Sequence, residues 1–186
     1  MLSKLQIEFI IRGSTKISEG EEFNGQKKVT IIVLITFIIL ISCACGKDYR
    51  KALEKKGIPF TQEAFLKEVR AGNREHVELF SKAGMDINSG DKDGSSALMI
   101  ASEKGFLEMA ELLIKSGTDV NAKNMDGYTA LMYAAYKGNR QIAELLVENK
   151  ADVNARDKDG WTALRYASIQ GQHDIVAVLK KAKDKK

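Results

Sequence analysis

DGYTALMYAAYKGNRQIAELLVENKADVNAR, Asp126 to Arg156, decides how this 186-residue chain folds. A near copy precedes it, DGSSALMIASEKGFLEMAELLIKSGTDVNAK, from Asp93 to Lys123. A shorter one follows, DGWTALRYASIQGQHDIVAVLKK, from Asp159 to Lys181. Asp93-Gly94, Asp126-Gly127 and Asp159-Gly160 stand 33 residues apart, and Gly72, Gly105, Gly138 and Gly171 keep the same interval. A degenerate copy, TQEAFLKEVRAGNREHVELFSKAGMDINSG, runs from Thr61 to Gly90. A fixed period of this length is the mark of a repeat architecture.

Each recurring residue has a physical reason. Asp-Gly is a turn pair, because glycine tolerates the positive φ of a tight turn. Ser96, Thr129 and Thr162 stand where a hydroxyl caps a first helix. Ala101, Ala134 and Ala167 are small enough for neighbouring helices to approach closely. Gly105, Gly138 and Gly171 end that helix, as glycine does just past a helix C-terminus. Ile142, Leu145 and Leu146 carry the apolar spacing of a second helix. One such pair cannot bury its apolar face alone, whereas a stack of three or more can, with polar outer faces on the end units. TQEAFLKEVRAGN and the Lys-rich last helix read as those ends.

The pattern, over Phe60 to Lys181, resembles the ankyrin repeat family. The resemblance implies an all-α solenoid of helix-turn-helix repeats with short β-turn or hairpin loops. The domain then spans residues 59–186, with repeats of about 60–92, 93–125, 126–158 and 159–186, the first and last acting as caps. The sequence departs from the family at one motif. The usual T-P-L-H becomes Ser96-Ala97-Leu98-Met99, Thr129-Ala130-Leu131-Met132 and Thr162-Ala163-Leu164-Arg165. Alanine gives up the preset first turn of proline but forms helix well. Losing the histidine removes side-chain hydrogen bonds that tie helix to turn in the family, and methionine fills the space apolarly.

The N-terminal region reads differently. VTIIVLITFIILIS, Val29 to Ser42, is uncharged and follows Gln26-Lys27-Lys28. A basic flank, an apolar run and small residues are the order of a secretory signal. Leu40-Ile41-Ser42-Cys43 resembles the lipobox of bacterial lipoproteins. That resemblance implies cleavage between Ser42 and Cys43, lipid on the Cys43 thiol, a signal over 1–42 and a tether over 43–58. Two or three acyl chains hold a membrane where one does not. The expected location is the bacterial cell envelope. Ala44-Cys45 after the lipidated cysteine, with no acid directly following, leans towards the outer membrane. An uncleaved anchor helix is the competing reading, because counting on to Cys45 brings the run to the lower edge of a bilayer span. The 28 residues before Val29 include Glu8, Glu19, Glu21 and Glu22, poor company for a signal, so the expected translation start lies downstream of Met1.

Composition excludes other functions. The chain has 29 Lys plus Arg against 25 Asp plus Glu, net +4. Residues 43–186 hold 24 against 21, and without the tail KKAKDKK they hold 19 against 20. The body is nearly neutral, so the basic face that nucleic acid needs is not expected. Both cysteines, Cys43 and Cys45, precede the repeats, which must then be held by apolar packing alone. Asp91-Lys92-Asp93-Gly94 and Asp157-Lys158-Asp159-Gly160 fail as calcium loops, because Ser89, Ile100, Ala155 and Tyr166 occupy positions that need acids. His76 and His173 lie in different repeats without neighbours at metal spacing. No nucleophile or phosphate-loop motif is present; neither catalysis nor a cofactor is expected.

The resemblance places partner contacts on turn tips and on the exposed side of the first helices. Here these positions hold Lys92, Met125 and Lys158, then Ser95, Tyr128 and Trp161, then Glu103, Tyr136 and Ile169. Met125, Tyr128, Tyr136, Trp161 and Ile169 gather in the third and fourth repeats, and exposed Tyr and Trp are favoured interface anchors. The expectation is a monomer that binds another protein there. In the alternative, Trp161 and the tyrosines stack on one another to cover thin repeat packing. A small ligand or cell-wall fragment is a further, less suited occupant of a flat concave face. Tyr133 and Tyr166 fall at positions that face the core in the family.

Overall fold

The computed structural model describes residues 46–183. Nine helices are present among them: α1 (residues 46–55), α2 (Gln62–Arg70), α3 (Arg74–Lys82), α4 (Ala97–Lys104), α5 (Leu107–Lys115), α6 (Ala130–Lys137), α7 (Arg140–Glu148), α8 (Ala163–Ile169) and α9 (His173–Lys183). Helices α2 to α9 form four pairs. Each first helix packs on the first helix of the next repeat, α2 on α4 on α6 on α8. The second helices α3, α5, α7 and α9 stack alongside. The result is a two-layered all-α solenoid.

The hydroxyl caps form as expected. Thr61, Ser96, Thr129 and Thr162 accept hydrogen bonds from the N–H of Ala64, Met99, Met132 and Arg165. Gly105 and Gly138 cap α4 and α6 in the left-handed conformation, at φ 77° and 78°. In the fourth repeat the helix stops one residue sooner, with Gln170 as its cap, and left-handed Gly171 follows. Met99 and Met132 are buried, so methionine fills the space left by the family's histidine.

Two side-chain devices tie the turns where that histidine is missing. Asp86, Asp119 and Asp152 each accept the N–H two residues on, from Asn88, Asn121 and Asn154. Asn88 Oδ1 then accepts the Asp119 N–H at 2.8 Å, and Asn121 Oδ1 the Asp152 N–H at 2.7 Å. The D-x-N motif therefore fastens each turn to the next repeat. The small residues at Ala101, Ala134 and Ala167 are all buried.

Residues 46–55 lie within the stretch read from the sequence as a tether, and the structure makes them helical. Leu53 is fully buried in the same core as Phe65 and Phe80. The Arg50 guanidinium lies 4.2 Å from the Phe60 ring centre, and its Nε donates to Ala83 O. Helix α1 thus covers the apolar side of the first repeat.

Candidate protein-binding surface

Three turns project from the stack, and each is braced by one acidic or amide side chain. Asp91 Oδ1 accepts the N–H of Asp93 and Ser95. Asn124 Oδ1 accepts those of Asp126 and Tyr128, and Asp157 Oδ1 those of Asp159 and Trp161. The chain folds back on itself at every turn through Asp91 N–H to Ser95 O, Asn124 N–H to Tyr128 O and Asp157 N–H to Trp161 O. Neighbouring turns join through Met125 N–H to Asp93 O and Lys158 N–H to Asp126 O, both 3.0 Å. These brackets explain why Asp or Asn recurs at 91, 124 and 157. The period carries that signal: the turn expected at each Asp-Gly pair begins two residues earlier, at the bracing Asp or Asn.

The turn tips hold Lys92, Met125 and Lys158, all exposed. Lys158 Nζ lies 3.7 Å from Asp126 Oδ1, an exposed pair of small energetic weight. Met125 stands 64% exposed. Tyr136, near the end of α6, is 45% exposed and Ile169, at the end of α8, 58%. These three are the large hydrophobic residues most open to solvent among the described residues.

Tyr128 and Trp161 are only half-exposed, because both lean on Tyr166. Tyr166 is buried, with ring centres 5.4 Å from Trp161, 5.7 Å from Tyr128 and 6.1 Å from Tyr136. Tyr133 joins through Tyr128 at 5.5 Å and accepts from Asn124 Nδ2. The aromatic side chains of the third and fourth repeats are therefore one self-packed cluster with Tyr136 at its exposed edge. Arg165 stacks on Trp161 at 4.3 Å, and Lys137 sits over Tyr136 at 5.5 Å while pairing with Glu103 at 3.2 Å.

The cluster is fastened by a buried carboxylate that sequence reasoning missed. Tyr166 lies within hydrogen-bond distance of both Asp157 Oδ2 and the Tyr128 hydroxyl. Tyr166 has one hydroxyl hydrogen, and an ionised carboxylate is the stronger acceptor. It therefore donates to Asp157, and Tyr128 donates to the Tyr166 oxygen. Burial pushes the Asp157 carboxyl up, but the Tyr166 hydroxyl and the N–H groups of Trp161 and Asp159 outweigh it and hold its pKa below the usual value. Burial and the Asp157 carboxylate together push the Tyr166 phenol far above its ordinary range. Tyr133 is raised as well, by burial.

Among the described residues no group of three or more His, Cys, Asp or Glu is placed to hold a metal. His76 pairs instead with Glu68, its Nδ1 2.8 Å from Oε2. A depression of about 170 Å³ between the first helices, walled by Arg70, Asp91, Glu103 and Tyr133, falls below the size of a usual small-molecule pocket. Ser42, Cys43 and the apolar run lie outside the described residues. No described helix is long and apolar enough to cross a membrane.

Stacked helix pairs, braced turns and a helix-to-helix ladder define a helical repeat protein. A family model described as ankyrin repeats (3 copies) matches residues 35–124 and 122–186, and the chain belongs to that family. A search of curated proteins finds no match. Ankyrin repeats are in general protein–protein interaction modules and are typically not enzymes.

Proposed function

We propose that this chain is a lipid-anchored ankyrin module of the bacterial cell envelope, with an outer-membrane location favoured. In this reading Cys43 carries the lipid, and the repeats capture another protein through the turn tips and the exposed side of the first helices. The observation that carries the capture reading is that Met125, at the turn into the third repeat, Tyr136 in the third and Ile169 in the fourth are the most open large apolar residues among the described residues. Lys92, Lys158, Tyr128 and Trp161 flank them, the last two as braced aromatic walls. Rigid aromatic anchors lose little conformational freedom on binding, which suits them to an interface core. Anchoring adds local concentration for partners at the same surface. LISC, Leu40 to Cys43, after its apolar run supports the lipid.

The test has two arms. Intact-mass analysis of membrane-extracted protein should show a chain starting at Cys43 with acyl mass, lost in Cys43→Ala. A chain that keeps its apolar run would instead make Val29 to Cys45 an anchor helix. Cross-linking in cells should recover a protein partner that Tyr136→Ser with Ile169→Ser releases while the melting temperature holds. Undiminished capture by that double variant would remove the surface from the proposal.

A further inference from the structure

Beyond the fourth repeat, α8 and α9 present a face that no other described element covers. It contains a cavity of about 180 Å³. Arg156, Arg165 and Lys183 line it, with Asn154 and Thr162 beside them and Leu179 among its apolar residues. Among the described residues no carboxylate lines it. Among the described residues, neither Arg156 nor Arg165 makes an ion pair.

The register of the repeats shows that this charge is a departure from the pattern. Arg165 stands where the second and third repeats have Met99 and Met132, both buried against the next repeat. A solvated end of a stack is served by charges of either sign, mixed. Here three cations surround one small cavity and repel one another, and the Asp157 carboxylate, which feels the Arg165 charge, does not line it. Two are already held in place. Arg156 Nη1 donates to Gly160 O at 2.7 Å, which leaves its other N–H groups free to point elsewhere. Arg165 is fixed over the Trp161 ring. Guanidinium groups match the oxygens of phosphate in paired hydrogen bonds, and an ordered guanidinium spends less entropy in making them.

We propose that this cavity is an anion site for a phosphate group, either free inorganic phosphate or the phosphate of a small soluble ester. Arg156 and Arg165 grip the phosphate oxygens, and Lys183 neutralises the remaining charge. The cavity's lining shares no residue with the protein-binding surface, which it adjoins where Arg165 stacks on Trp161, and the site does not depend on lipid at Cys43.

Trp161 is the one tryptophan in the chain, and Arg165 stacks on it, so anion binding has a built-in reporter. The experiment titrates full-length protein in detergent with inorganic phosphate and with glycerol phosphate at constant ionic strength. It follows Trp161 fluorescence and, independently, the amide NMR shifts of Gly160 and Thr162. Saturable binding is expected, weakened at least about tenfold by Arg156→Gln. Arg165→Met should abolish the amide shifts while leaving the melting temperature intact, because methionine is already accommodated at that register. Tighter binding of glycerol phosphate identifies an ester ligand, and equal binding identifies free phosphate. A response that chloride reproduces, or that both variants retain, overturns the site. So does binding to phosphatidylglycerol vesicles with no response to soluble phosphate.

Discussion

Tyr166 donates its hydroxyl hydrogen to Asp157 Oδ2 at 2.5 Å, joining the first helix of the fourth repeat to the turn before it. The same carboxylate braces that turn through its other oxygen. One buried charge therefore holds both the turn tip and the aromatic cluster.

Asp157→Asn should cost about 1–2 kcal/mol at pH 7, since a charge-assisted acceptor becomes neutral. The turn itself should survive, because Asn124 does the same bracing one repeat earlier. The folded pKa of Asp157 lies below its unfolded value, so the stability it adds is complete above the unfolded value of about 3.9 and is lost as pH falls through the folded one. Urea unfolding of both proteins should show a gap at pH 7 that closes below about pH 4. A gap of equal size at pH 3 would mean the carboxylate is not the stabilising group.

Gly127→Ala and Gly160→Ala should differ sharply, although both glycines have positive φ, 83° and 76°. A Cβ at Gly127 would meet Asp157 Cα at 2.9 Å, backbone that cannot swing aside, whereas among the described residues nothing lies within 4 Å of one at Gly160. Left-handed alanine alone costs about 1–2 kcal/mol, the expectation for Gly160→Ala. Gly127→Ala should cost about 3 kcal/mol or more, since the bond between turns must also shift. Equal urea midpoints for the two variants would refute the close approach.

Leu53→Ala measures whether α1 belongs to the fold. A fully buried leucine loses about 2–5 kcal/mol on truncation, while a residue in a solvated tether changes stability by less than about 0.5. Thermal unfolding of repeats with and without the substitution separates these outcomes.

Ser102→Ala should stabilise the protein. The Ser102 hydroxyl is buried with no hydrogen-bond partner among the described residues. Alanine already occupies the same register at Ala135, also buried. Removing the unpaired hydroxyl should gain about 1 kcal/mol, or roughly 3 °C in melting temperature. A lower melting temperature would show that the hydroxyl is satisfied by bound water.

The 33-residue period made the solenoid legible, because turn glycines, hydroxyl caps and small alanines each answer a local backbone need. Local needs are written in single residues. The rest depended on where side chains meet. Trp161 and Tyr128 share a register with Ser95, and nothing in their spacing reveals that Tyr166 would rise between them and cover half of each. Asp157 looked like a turn acid because its second role needs a tyrosine nine residues later. Helix α1 was hidden by its charge: KDYRKALEKK reads as solvated chain, and only burial of Leu53 and stacking of Arg50 on Phe60 disclose a packed face. Arg165, by contrast, was visible as the break in the Met99 and Met132 series, but its meaning lay in what else lines the cavity.

Lipidation at Cys43 would make helix α1 set a standoff. Under the proposed lipidation, only three steps of chain separate Cys43 from Gly46, a reach of about 10 Å fully extended. The repeats could then not wander on a leash above the bilayer. With packed helices spaced about 8–10 Å, Tyr136 and Ile169 would be carried two to three layers further along the stack than α1. Standing upright on the membrane, such an assembly would be a short rigid post and would select partners by height: proteins that rise tens of ångströms from the same membrane, rather than lipids or peptides lying flat on it.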